Sequence, residues 1–336
     1  MTLLYNADLG QYNDGYWATA DMYHVPGTTA STNERLPCSG SRKLSPGGRT
    51  YGANTGSHAS IGMRYISWKE TTKATKSWFF LDNEIVCLGA GITSMGPTHT
   101  TIDQRRFSTQ QDISLDNMNM THESTFTKTL ESKSVRTVRL ESNVDEASDI
   151  AYYIYETNSP VMINKVDRIG SWIDVNNGHI LQDNTPFQRK YVSIIIDHGD
   201  SPVNASYVYS IRPKPERISS TDASFRVLVN TENVQAVQSS DERVMGAIFY
   251  TYGQVDGMLA ANTSCAITIT QPTANASSAT VAIELAEPDS PAEVTLLQFA
   301  KYRLGSGIEG AQVTSMDNGL RVEITNPFVT LDLIRD

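Results

Sequence analysis

The fold turns on the stretch Ser77-Trp-Phe-Phe-Leu81, Asp82-Asn83, Glu84-Ile-Val-Cys-Leu88. Each flank is a short apolar run, aromatic on one side and β-branched on the other, and too short for a helix. Asp and Asn between them are turn formers, so the segment reads as strand, two-residue turn, strand. Further along the chain the same period recurs. Val281, Ile283 and Leu285 alternate with Ala282 and Glu284, and Leu320, Val322 and Ile324 alternate with Arg321 and Glu323. Phe225, Val227 and Val229 fall on one face of a strand, Ile267 and Ile269 on one face of another, and Val192-Ser-Ile-Ile-Ile196 is a β-branched run. No segment carries a sustained i, i+3, i+4, i+7 stripe. Turn signals are frequent, at Pro46-Gly-Gly48, Asn176-Asn-Gly178 and Asp197-His-Gly-Asp200. The pattern predicts an all-β fold of stacked antiparallel sheets.

The chain has 336 residues, 39% of them hydrophobic, which is enough for a large core in one or two domains. Residues 30–60 are rich in Ser, Thr, Gly and Asn and read as a long surface loop. The composition changes again near 257–265. The expected organisation is a large multi-sheet antiparallel β-sandwich over residues 1–260, followed by a small C-terminal β-sandwich over 261–336. No apolar run approaches the roughly 18 residues of a membrane-spanning helix. Acids outnumber bases by 37 to 27, and a net charge of −10 argues against a general nucleic-acid binder. Neither a membrane nor a nucleic acid is therefore expected as a partner. Met1-Thr-Leu-Leu-Tyr-Asn6 lacks a basic n-region and Asp8 follows early, so no signal peptide is expected here, and the chain reads as starting inside something larger. Three cysteines, Cys38, Cys87 and Cys265, allow at most one bridge; Cys87 lies in an apolar run and reads as a buried thiol. Sequons at Asn119, Asn204, Asn262 and Asn275 matter only in a eukaryotic secretory pathway.

None of the six histidines has a second histidine or a cysteine at zinc-ligand spacing. Nucleophile elbow, phosphate loop and dinucleotide fingerprint are all missing. His198 reads as a turn histidine bonded to local backbone. Asp82-Asn83-Glu84 can be an ordinary polar turn, or three oxygen ligands for a hard cation such as Ca²⁺. The opening segment from Tyr12 to Thr29 sets Tyr16, Trp17 and Tyr23 among hydroxyl and amide side chains. Such aromatics are what sugar rings stack on, and they are equally suited to an amphipathic core.

Several stretches carry a resemblance. Leu4-Tyr-Asn-Ala-Asp-Leu-Gly-Gln-Tyr12, followed by Tyr16-Trp-Ala-Thr-Ala-Asp-Met-Tyr-His-Val-Pro-Gly-Thr-Thr29, resembles the segment that opens the β half of family 8 polysaccharide lyases, among them hyaluronate, chondroitin AC and xanthan lyases. Lys76–Ile92 is similar to the family's aromatic strand, acidic turn and Leu-Gly-x-Gly-Ile strand. Ile169-Gly-Ser-Trp-Ile-Asp-Val-Asn176, Asp197–Tyr209 and Val229–Val237 resemble further family blocks, and all stand in family order.

The resemblance implies an N-terminal α/α toroid, a large β-sandwich and a small C-terminal sandwich, of which this chain matches the last two. It implies β-elimination beside a uronic acid. The Asn, His and Tyr of that chemistry lie on the toroid, so no residue here inherits a catalytic role. His24 stands where the family has Arg ahead of its Pro-Gly-Thr-Thr motif. Saccharide contacts are expected at Tyr16, Trp17, Tyr23 and His24. By the same resemblance, a structural Ca²⁺ would be held by Asp82, Asn83 and Glu84, with Glu242, beside Asp241, as the fourth ligand. The expectation is therefore the β half of an extracellular lyase of acidic polysaccharide, of hyaluronan, chondroitin or xanthan type. Its partner is a toroid in cis or in trans, and it is inactive by itself. A non-catalytic carbohydrate-binding or scaffold module, or the β subunit of a split lyase, is the alternative.

Overall fold

A computed structural model describes residues 1–13, 15–33, 48–67, 72–131, 136–155, 157–175, 185–216, 224–271, 276–287, 292–305 and 309–336. About 59% of the chain is strand and 5% helix, which makes it all-β as the alternation predicts. The described helices are single turns, Tyr16–Thr19 and Trp172–Val175, with 3-10 turns at Glu146–Ser148 and Leu297–Phe299. No helix among the described residues is long and apolar enough to cross a membrane.

Two compact units divide the chain. The first takes residues 1–46, 67–72 and 92–221; the second takes 47–66, 73–91 and 222–336. In the first unit, a five-stranded antiparallel sheet runs in the order Thr29–Ser31, Pro97–Arg106, Phe187–Asp200, Val161–Gly170, Phe126–Leu130. The β-branched run at 192–196 is its central strand and is buried throughout, as a strand covered on both faces must be. A second group of strands runs Ala205–Pro213, Ile150–Ile154, Arg136–Ser142, Gln111–Leu115, Met118–Asn119.

In the second unit a seven-stranded sheet has the order Phe225–Asn230, Val234–Ser239, Val244–Phe249, Cys265–Thr270, Ser278–Leu285, Phe328–Arg335, Tyr302–Leu304. A five-stranded sheet has the order Gly253–Val255, Leu259–Ala261, Ala292–Leu296, Gly319–Ile324, Ala311–Met316. Val281, Ile283, Leu285, Leu331 and Leu333 from the one meet Leu259, Val294, Leu296, Leu320 and Val322 from the other in a single apolar cluster. The composition change at 257–265 is the crossing between these two sheets. Val244–Phe249 pairs directly with Cys265–Thr270, so strands on both sides of residue 260 share one sheet.

The hairpin at 77–88 forms as read, with Leu81 N donating to Glu84 O at 2.9 Å between the strands Thr72–Phe80 and Ile85–Ser94. Three local expectations change. The polar stretch 30–60 is not all loop. Arg49–Asn54 and the start of Ala59–Ile66 are strands, because Tyr51 and Ala53 point inward on alternate positions. Val229 leaves the face of Phe225 and Val227, because a register shift between Val227 and Val229 reverses the alternation. His198 is bonded through Nε2 to Thr100 Oγ1 at 2.8 Å and lies 3.3 Å through Nδ1 from Ser159 Oγ, side chains of other segments rather than local backbone. Cys87 and Cys265 are buried thiols. Cys38 and the turn at 176–178 lie outside the described residues.

Candidate functional site

The opening segment is held on the five-stranded sheet of the first unit by tyrosines. Gly15 starts the helical turn at φ 77°, and a Cβ there would stand 2.8 Å from the Phe187 ring, so the sharp entry requires glycine. The turn then delivers Tyr16 to the interior. Its hydroxyl donates to Gln104 O at 3.0 Å, and its ring packs edge-on against Tyr12 and Trp17 and tilted against Tyr191. Tyr16 is only 1% exposed, which leaves no face for a sugar ring. Burial, with Asp103 nearby, pushes its phenol far above the ordinary range. Tyr12 is raised the same way, to about 12. Thr19 Oγ1 bonds Tyr191 Oη at 2.7 Å, and Gln104 Nε2 donates to Asp21 O and His24 O. Trp17 and Tyr23 stay half-exposed at the rim of this polar anchor.

His24 is drawn into a chain of contacts. Its Nδ1 lies 3.2 Å from Asp21 Oδ2, its Nε2 lies 2.9 Å from His99 Nδ1, and His99 Nε2 lies 3.5 Å from Asp197 Oδ1. The two rings stack at 5.3 Å. The bond from His24, offset by desolvation but joined by Tyr23 N and Arg168, holds the Asp21 carboxyl down at about 2. Burial pushes the His99 imidazole below its usual value. Both His24 ring nitrogens are thus occupied within the protein, and the residue can offer a ligand its ring face but no free N–H. Tyr16, Trp17, Tyr23 and His24 are therefore one local cluster in which Trp17 and Tyr23 have the accessible rings.

The acidic turn of the second unit is arranged differently from a ligand trio. Asp82 Oδ1 takes a bond from His58 Nε2 at 2.8 Å, and its Oδ2 takes one from Arg243 Nη2 at 2.7 Å. Asn83 is exposed. Glu84 turns inward, is 3% exposed and accepts from Ser224 Oγ. Glu242, at φ 60°, lies with Oε1 3.4 Å from Arg226 Nη2, and Asp241 binds Arg243 Nε at 2.5 Å. As placed, the four residues do not fit a calcium ion: a guanidinium lies against Asp82, and Glu84 faces away from it. Among the described residues no group of three or more His, Cys, Asp or Glu is disposed to hold a metal.

Sequence reasoning missed Gln104, His99, Asp197 and Arg168. Each sits on a strand of the five-stranded sheet, far in sequence from the segment it anchors. The one local signal was the polar character of Asp103-Gln-Arg-Arg106, unusual for a strand interior.

Residues 1–223 match the polysaccharide lyase family 8 super-sandwich domain, and residues 226–289 match the family's C-terminal beta-sandwich domain. A hyaluronate lyase of Thermasporomyces composti is 33% identical over 269 residues, covering 77% of this chain and 33% of that protein. A xanthan lyase of Bacillus sp. strain GL1 is 30% identical over 304 residues, covering 85% of this chain and 32% of that protein. The chain thus spans about a third of the length of these relatives. In three dimensions it superposes on a Paenibacillus xanthan lyase with a TM-score of 0.87 at 24% identity, over 100% of this chain and 33% of that one.

Proposed function

The chain belongs to polysaccharide lyase family 8, and from that premise we propose that it is the β-sandwich part of an extracellular lyase that cleaves an acidic polysaccharide of hyaluronan, chondroitin or xanthan type. The observation that carries the reading is the match of both β domains, in family order, along residues 1–223 and 226–289. The reaction is β-elimination beside a uronate. The C5 proton is removed, its electron pair forms the C4=C5 double bond, and the C4–O bond breaks with the oxygen leaving protonated. The acid and base belong to an α/α toroid, in cis or in trans. This chain supplies one wall of the saccharide path, with the half-exposed rings of Trp17 and Tyr23 stacking on sugar faces while Tyr16, Gln104 and Tyr191 hold their segment in place.

Ultraviolet absorbance of the new double bond tests this reading. The chain alone is expected to leave hyaluronan, chondroitin and xanthan intact, and joining it to a family toroid is expected to give turnover. Trp17→Ala in that assembly is expected to raise KM. Turnover by the purified chain alone, or no turnover in any toroid assembly, overturns the proposal.

A further inference from the structure

Acids exceed bases by ten in this chain, yet three arginines converge on one sheet face of the first unit. In the register of the central strand, Arg106 stands opposite Tyr191, and Arg168 stands directly opposite Arg189. Side chains opposite one another on neighbouring strands share a face, so the three arginines lie on the face of the sheet that carries Tyr191. Burial raises that phenol, while the bond to Thr19 and the charges of Arg106, Arg168 and Arg189 pull the other way.

The three are used differently. Arg168 is tied to the opening segment, its Nε donating to Thr19 O at 2.8 Å and its Nη1 3.4 Å from Asp21 Oδ2. Arg106 lies over Gly10, where a Cβ would stand 2.9 Å from its Nη2. Arg189 lies over the Phe187 ring at 5.5 Å and bonds Gln188 O. A cavity of about 710 Å³ opens beside Arg106 and Arg189 and is lined also by Phe107, Gln110 and Gln111. That volume is in the range of a small-molecule site. Lys190, Asp8 and Asp145 line it too. Lys190 Nζ, however, is engaged by Ser124 O and Asp167, and Asp145 Oδ1 caps the 3-10 turn by accepting from Ala147 N. Asp8 stands beside Arg106 at Gly10, its Oδ1 3.6 Å from the same Cβ position. With Arg106, Arg189 and Lys190 against Asp8 and Asp145, the lining carries one positive charge in excess. A guanidinium recognises planar carboxylate and tetrahedral sulfate oxygens equally well by paired N–H donors.

We propose that Arg106 and Arg189 flank a saccharide subsite that takes a sugar unit bearing an anionic group, in addition to the Trp17–Tyr23 face. The subsite rests on the lyase reading for its ligand class, and its residues all lie within the first unit.

The test is calorimetric titration of the full chain with three tetrasaccharides: hyaluronan, carrying carboxylates; chondroitin sulfate, carrying carboxylates and sulfates; and a neutral one of the same length. The acidic pair is expected to bind, more weakly as salt is added, and the neutral one is not. Arg189→Gln is expected to weaken binding at least about tenfold, and the Arg106→Gln/Arg189→Gln double variant further. Arg189→Lys is expected to recover part of the loss, since a point charge replaces the fork. Arg189 is half-exposed, so the single variant folds even where Arg106→Gln does not. Tighter binding of the sulfated ligand assigns the pocket to sulfate; equal binding assigns it to carboxylate. Unchanged affinity in Arg189→Gln, equal binding of the neutral ligand, or no binding of any acidic ligand overturns the subsite. The lyase reading is judged apart from these by the toroid assay, so either can fail while the other stands.

Discussion

In the second unit, strands from two sheets bury Val281, Ile283, Leu331, Val294, Leu320 and Val322 against one another with no polar atom among those side chains. Beneath the opening segment of the first unit the interior is polar. Asp103, Arg105 and Tyr152 are all nearly inaccessible, with Tyr152 Oη donating to Asp103 and Arg105 Nη1 lying 3.5 Å from the same carboxylate and 3.4 Å from Tyr12 Oη. Burial raises the Tyr152 phenol, and Asp103 adds to it. Apolar packing tolerates exchange of shapes provided volume is kept. A buried polar network tolerates far less, because each lost partner leaves another group desolvated and unanswered. The two regions thus locate different tasks: bulk stability in the one, and placement of Trp17, Tyr23 and His24 in the other.

The sharpest way to break this contrast is to remove one member of the buried ion pair. Asp103→Ala leaves Arg105 without its carboxylate and is expected to cost about 3–5 kcal/mol in denaturant unfolding. A loss below about 1 kcal/mol would mean the polar interior is solvated after all. Leu331→Ala, fully buried in the apolar cluster, is expected to cost about 2–5 kcal/mol and to leave saccharide binding unchanged. An altered saccharide affinity in that variant would contradict the division of tasks.

Tyr16→Phe keeps the ring and deletes the bond to Gln104 O, for an expected loss of about 0.5–1.5 kcal/mol. Its fluorescence signature is a more mobile Trp17, and an unshifted Trp17 would break the anchor argument. Acid titration separates two further contributions. His99 has a depressed imidazole, so the unfolded chain takes up a proton that the folded one refuses. The stability it lends is complete above about pH 6.5 and declines as pH falls below that value. Asp21 has a depressed carboxyl, so its contribution is complete above about pH 4 and is lost as pH falls toward about 2. A melting-temperature profile should therefore fall in two steps, and His99→Gln should flatten the upper one only. The smallest effect is expected at the acidic turn. With Arg243 against Asp82, chelator and added Ca²⁺ should leave the melting temperature of the wild type unmoved. A drop of several degrees with chelator would mean that a cation displaces the guanidinium.

The apolar region was legible because its information is local. Leu320-Arg-Val-Glu-Ile324 states its period within five residues, and the burial follows it, with Leu320, Val322 and Ile324 inside and Arg321 and Glu323 outside. The hairpin at 81–84 was legible for the same reason. The polar region was not. Tyr16 reads from its neighbours either as a sugar-facing aromatic or as core, and what decides for core are Gln104 and Tyr191, partners that only the fold brings near. The acidic turn misled in an instructive way. Three adjacent oxygen-bearing side chains suggest convergence, but strand alternation resumes at once after the turn, sending Glu84 inward to Ser224 while Asp82 stays outside with Arg243. The distant arginine that completes the turn carries no mark in its own neighbourhood of sequence.

The bond between His24 Nε2 and His99 Nδ1 couples two tautomer choices. It needs one hydrogen, held by one of these nitrogens and not by both. If His24 Nε2 holds it, a neutral His24 turns a lone pair toward Asp21, and a neutral His99 carries its own hydrogen on Nε2, on the side of Asp197. If His99 Nδ1 holds it, the pattern reverses, and the hydrogen faces Asp21 while a lone pair faces Asp197. Two neutral rings therefore answer one carboxylate at a time, and the turn that presents Tyr23 and the strand end at Asp197 compete for the same hydrogen.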